Sequence, residues 1–347
     1  MKSSPSAKIQ VRRMIMGVVA VLAAVVVLRM SHRLFEERPP PEYIRHFSIF
    51  GTDGSIKLWR TPGPDEVDKG YAAVLEYLRE LHDTINVFSP ESELSRLNRT
   101  AYEEPFECSD LLWDILAAAR RAHAQTDGLF DVTVGSLMEV WGFYEERDQW
   151  PDDDEIAAAL APVGMDKVIF DEASKSVRFT HPGTRIDLGG LAKGYALDRV
   201  AALLREHQIT TGIIDLGGDL LTLAPLTPGE GYPVGLRDPQ SRWRLLEVLQ
   251  VAEMAVATSG DYENFREIEG RTVGHIVNPK TGMPARQIVS ATAVAPTGLE
   301  AEIEATAMVV AGVERARRWV EKGEGRQAVV IHYNQDGEIE VAQFPEP

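Results

Sequence analysis

Cysteine is almost absent from this 347-residue chain. Cys108 stands alone, which excludes an intrachain disulfide framework and any metal site built on several thiolates. Positive charge is scarce as well: 36 Lys and Arg face 53 Asp and Glu, for a formal net charge of −17. The first 38 residues hold seven basic side chains against Glu36 and Glu37, a local +5 that leaves the remainder at −22. A body this acidic repels nucleic-acid phosphates, so DNA and RNA are not expected as partners. If it handles a polyphosphate ligand, a local cation or a metal has to offset the charge. Long hydrophobic runs are missing too. The uncharged run from Met14 to Leu28 is shorter than the roughly 20 residues that comfortably cross a bilayer.

That run nevertheless has the order of a secretion signal. Lys2, Lys8, Arg12 and Arg13 precede it and Arg29 closes it. No small-x-small cleavage site follows in Arg29-Met30-Ser31-His32-Arg33, and no cysteine is there to take a lipid. The reading is an uncleaved signal-anchor over residues 1–30 with Arg29 snorkelling, and a cleaved signal peptide as second choice. A Pro/Glu-rich tether, 31–45, leads to one globular domain, 46–347. This arrangement implies an inner-membrane protein with its domain on the periplasmic, extracytoplasmic side.

Within the domain, Phe47 to Phe50 and Ile56 to Trp59 flank Gly51-Thr52 and predict a hairpin. Val67, Tyr71, Val74, Leu75, Leu78 and Leu81 form a helical stripe between Asp65 and Ile85. Ser109 is placed to cap a helix running through Leu112, Ile115, Leu116 and Ala119, stopped near Gly128. Val168 to Phe170 with Val177 to Phe179, and Ala328 to Ile331 with Ile339 to Val341, predict two more hairpins. Strands and helices mix without a strict βαβ rhythm, so the predicted class is α+β.

Four glycine-bearing clusters can carry chemistry. Arg185 to Tyr195 reads as a strand, a Gly189-Gly190 turn and a helix start, where backbone N–H groups and Lys193 can face an anion. A turn with a surface lysine explains it equally well. Ile213 to Leu220 runs a strand into Gly217-Gly218 between Asp215 and Asp219; a flat ligand or a β-bulge accounts for the pair. Thr258-Ser259-Gly260-Asp261-Tyr262 is followed by Gly274-His275-Ile276, which offers a proton carrier, although single histidines more often serve structure. Last, Glu302 and Thr306 sit four apart near the start of an alanine-rich helix. A carboxylate plus a hydroxyl suits a hard cation, while a dipole partner is the plainer role for the acid.

Taken together and in order, these clusters resemble the ApbE family of FAD:protein FMN transferases. The likeness extends through Phe88-Ser89-Pro90-Glu91 to Asn98, Thr126-Asp127-Gly128 to Gly135, and Trp141-Gly142-Phe143. The resemblance implies a single T-fold-like domain with FAD in a cleft and Mg2+ at its pyrophosphate. Phe50 and Phe88 would pack near the flavin, and Gly128, Leu129, Phe130 and Asp131 would line the ligand. Asp187 and Lys193 would sit by its polar part, and Gly217 and Gly218 would touch it by backbone. His275 and Ile276 would border the flavin phosphate, and His275, able to move a proton near neutral pH, is the candidate catalytic base. Gly190 by its carbonyl, Glu302 and Thr306 would hold the metal. The family usually has aspartate at the Glu302 position and a common aspartate at Asn278. The implied reaction moves FMN from FAD onto a Ser or Thr hydroxyl of an acceptor flavoprotein, releasing AMP. An FAD pyrophosphatase and a non-catalytic FAD-binding protein remain open alternatives.

Overall fold

The computed structural model describes residues 41–238, 241–260 and 264–346. The expected signal-anchor, the first part of the expected tether, and Asp261 lie outside the described residues. Among the described residues no helix is long and apolar enough to cross a membrane.

Eight antiparallel strands form the main sheet: Tyr43–Ile49, Thr52–Leu58, Gly212–Leu216, Asp219–Thr222, Ala255–Gly260, Ile288–Ala295, Gln327–Tyr333 and Ile339–Phe344. Their spatial order is their chain order. Everything else is inserted between neighbours of one meander, which confirms the α+β class. The first strand begins at Tyr43, inside the stretch expected as tether, because Tyr43 to Ile49 pairs residue for residue with Leu58 to Thr52.

The inner strands are buried on both faces, and their alternation sorts side chains by size. Ala255, Ala257, Ala291, Ala293, Ala295, Ala328 and Val330 belong to the main core under the helices. Val256, Val294 and Val329 point the other way, onto Val234, Leu236, Leu249 and Val251 of the hairpin Tyr232–Asp238/Ser241–Val251. Small residues on the helical side let helix Gly298–Ala311 lie close against the strands. Beside it runs helix Ala192–Glu206, followed by helix Pro64–Ile85, which buries Val67, Val74, Leu78 and Leu81 as its stripe predicts.

Ser109 caps helix Asp110–Gln125 by accepting from Leu112 N–H at 3.2 Å. A smaller core of Leu137, Trp141, Ile156, Ile268, Val273 and Val277 joins the hairpin Phe265–Ile268/Arg271–Gly274 to the 134–163 region. One expected strand is missing. Around Arg185 there is only an isolated bridge to Val134. The Asn98 amide instead takes both backbone groups of Ile186, at 2.8 and 2.9 Å, and Asp187 N–H donates to Val132 at 2.7 Å. With those groups satisfied, the segment needs no ladder.

Candidate active site

A narrow cleft of about 100 Å³ opens where the 126–134 turn, the 185–191 loop, the 275–279 loop and helix Gly298–Ala311 converge. Of the residues predicted from sequence, Leu129, Phe130, Asp131, Asp187, Gly190, His275, Ile276 and Thr306 line it.

His275 follows directly on the hairpin that ends at Gly274, and its base is pinned. Both its backbone N–H and its ring Nδ1 lie within 3.1 Å of the Asn264 carbonyl oxygen. A carbonyl can only accept, so Nδ1 carries the hydrogen and Nε2 keeps its lone pair. Burial holds this imidazole below the ordinary histidine range; Lys193 adds to the effect, and the Asn264 carbonyl and Asp187 oppose it. The result is a neutral base facing a cleft.

Asp187 is fully engaged. Its Oδ1 accepts from Gly189 N–H at 2.7 Å and its Oδ2 from the Tyr144 hydroxyl at 2.6 Å. Phe88, 70% exposed, meets Tyr144 edge-on with ring centroids 5.9 Å apart. Phe88 N–H donates to the Asn86 side chain, which neighbours His82, and the His82 ring lies 5.7 Å from Phe50. Phe50 lines a second, more polar depression with Ser48, Thr52, Asp53 and His82. Gly217 packs on Thr52 there, and its N–H donates to the Asp53 carbonyl. Gly217 and Gly218 both have positive φ and form a two-residue hairpin turn, not a bulge. Phe50, Phe88, Gly217 and Gly218 therefore do not line the main cleft.

Neither do Gly128, Lys193 and Glu302. Gly128 packs bare against the His123 ring. Lys193 pairs at 2.5 Å with Asp219, a nearly buried carboxylate that also accepts from Thr258 N–H. Glu302, 4% exposed, accepts from Gly194 N–H at 2.7 Å. Burial pushes its carboxyl up to about 8, with Asp219 adding to the effect and Lys193 opposing it. Two buried carboxylates thus share one ammonium, while the Thr306 hydroxyl stands 3.1 Å from that of Ser259. These are oxygen donors, and Glu302 adds a negative charge once it gives up its proton, which suits a hard divalent ion. Among the described residues no three His, Cys, Asp or Glu gather into a metal site. Such an ion has to lean on hydroxyl and carbonyl oxygens, as Thr306 and Gly190 offer.

The ApbE family model matches residues 50–331. The chain belongs to the ApbE family. It is 30% identical over 283 residues to an FAD:protein FMN transferase of Vibrio cholerae, covering 80% of this chain and 84% of that one. The Escherichia coli K12 protein of the same name is 29% identical over 301 residues, 83% and 85% of the two chains. Among solved structures, the flavin transferase ApbE from Vibrio cholerae superposes with a TM-score of 0.75 at 29% identity, covering 88% of this chain and 97% of that one. The ApbE protein from Thermotoga maritima gives 0.77 at 30% identity, with 86% and 96% covered.

In this ApbE-family chain several residues that shape the site had no role assigned from the sequence. Tyr144 directly follows Trp141-Gly142-Phe143, and Asp219 directly follows the glycine pair, so adjacency to a motif was their only signal. Asn98 and Asp198 act on partners 88 and 100 positions away, and no local pattern pairs His123 with Asp131.

Proposed function

We infer that the chain is an FAD:protein FMN transferase, and we propose that it joins FMN by a phosphoester to a Ser or Thr hydroxyl of an acceptor flavoprotein. The observation that carries this reading is the neutral His275 held by Asn264 in a cleft with Asp187. The acceptor hydroxyl attacks the FMN phosphorus of FAD, a P–O bond forms to the acceptor, and the P–O bond to AMP breaks. His275 Nε2 takes the hydroxyl proton. Asp187, fixed by Tyr144 and Gly189, supports the imidazolium that results. Lys193, aimed by Asp219, supplies positive charge for the polar part of FAD. The exposed ring of Phe88 and the ring of Phe50 offer apolar faces to the flavin. Thr306, Glu302 and the Gly190 carbonyl would hold Mg2+, which would supply charge neutralisation for the pyrophosphate. The amino-terminal run is proposed to tether the enzyme on the periplasmic face of the inner membrane.

Purified protein mixed with FAD, Mg2+ and candidate acceptors should yield an acceptor heavier by one FMN, read by mass spectrometry, with AMP released. Free FMN and AMP with no acceptor adduct would identify a hydrolase instead. Glu302→Ala should lose most turnover and Thr306→Ala less, because a charged oxygen ligand contributes more than a neutral one. Normal turnover in both variants would remove the metal assignment.

A further inference from the structure

His123 stands in the last turn of helix Asp110–Gln125 and reaches Asp131 in the cleft wall. Its ring Nδ1 lies 3.1 Å from Asp131 Oδ2, an ionic contact without the alignment of a hydrogen bond. Asp131 is a cleft residue whose side chain is 3% exposed. Its Oδ1 is occupied by the N–H and hydroxyl of Thr133, at 2.8 and 2.5 Å, so His123 is what meets Oδ2. The same ring covers the turn. Gly128 has a φ of +73°, and a Cβ there would stand 3.1 Å from His123 Cε1. The Gly128 N–H in turn donates to the His123 carbonyl at 2.8 Å.

A carboxylate buried in the wall of a cleft that receives a pyrophosphate is a repulsive element unless its charge is cancelled. We propose that His123 is a positioning residue for FAD: as an imidazolium it neutralises Asp131 and fixes the Gly128–Asp131 wall so that the anionic ligand can enter. This rests on the flavin reading above. The charged groups that face the ring are Asp131, Asp166 and Lys280. Contact with Asp131 raises its proton affinity most, Asp166 adds to that, and burial and Lys280 oppose it, so the pair is charged over a wider pH range than a free histidine allows.

The test is the FAD dissociation constant, from flavin fluorescence at saturating Mg2+, at about pH 6 and about pH 9, below and well above the unperturbed histidine value. The parent should bind about tenfold more weakly at the higher pH. His123→Gln should bind weakly at both values, with a smaller pH step than the parent's, because Glu302 also titrates between them. In an Asp131→Asn background, where no charge needs cancelling, His123→Gln should change affinity less than about twofold. Parent-like binding by His123→Gln at both pH values, or an equal loss in the Asp131→Asn background, overturns the proposal. If His123→Gln fails to fold by circular dichroism, the parent and Asp131→Asn decide: a flat parent profile, or a pH step as large in Asp131→Asn as in the parent, overturns it. A parent that binds no FAD at any pH sinks the flavin reading as well. A parent that binds FAD while the histidine arms fail sinks this inference alone.

Discussion

The base is one imidazole whose tautomer and protonation state are both set by its surroundings. Because His275 donates through Nδ1 and burial keeps its proton affinity low, it is ready to accept at neutral pH. The direction of the shift fixes the sign of the pH response. The rate of the parent enzyme at saturating FAD and acceptor should hold near neutrality. It should fall on acidification through a value below the unperturbed pKa of about 6.5. His275→Ala should bind FAD almost as the parent does and transfer FMN more slowly by a factor of about 10²–10⁴. Rapid-mixing measurements at saturation isolate that step, and a parent-like rate would end the assignment. That a histidine stands before a short apolar stretch was legible in the sequence. Its tautomer was not, since Asn264 is eleven residues away and is brought alongside only by the Phe265–Gly274 hairpin.

At the scale of elements, the site is held by two helices that cap each other. Helix Ala192–Glu206 has Leu191 at its N-cap and no side-chain cap there. Glu302 of helix Gly298–Ala311 supplies one, on Gly194 N–H. In return Asp198 of the first helix accepts from the N–H groups of Gly298 and Leu299, at 2.6 and 3.0 Å. The crossing requires glycine on both sides: a Cβ on Gly194 would lie 2.3 Å from the Gly298 carbonyl oxygen. Gly194→Ala should therefore destabilise the fold by about 1–3 kcal/mol, as overpacking does. Asp198→Ala should cost about 1 kcal/mol, and Asp198→Asn, which keeps an acceptor, less. Urea denaturation midpoints measure all three, and an unchanged midpoint for Gly194→Ala would contradict the close crossing. The stripe of helix Pro64–Ile85 and the Ser109 cap were readable because they are periodic and local. The reciprocal caps were not, because each joins residues about a hundred positions apart.

For the whole molecule, the meander puts the domain's start at the first paired strand. A fragment beginning at Pro41 should be soluble and carry or take up FAD, because every described strand and helix lies after it. Denaturing the purified fragment and finding no flavin, even after incubation with FAD, would count against the proposed function. The sequence by itself determined the acidic body, the α+β class, most strands and helices, and, through its resemblance to the ApbE family, most of the residues that line the cleft. It could do so because alternation, helical stripes, caps and glycine turns are properties of neighbouring residues. Only the tertiary structure decided which of those residues share a cavity. Phe50, Phe88, Gly217 and Gly218 went to its surroundings, Lys193 was placed on Asp219, and Glu302 became a helix cap as well as a candidate ligand. The reason is physical: burial and long-range pairing set the charge state and direction of a side chain. Both depend on partners that the chain contributes from distant positions, so no local pattern records them.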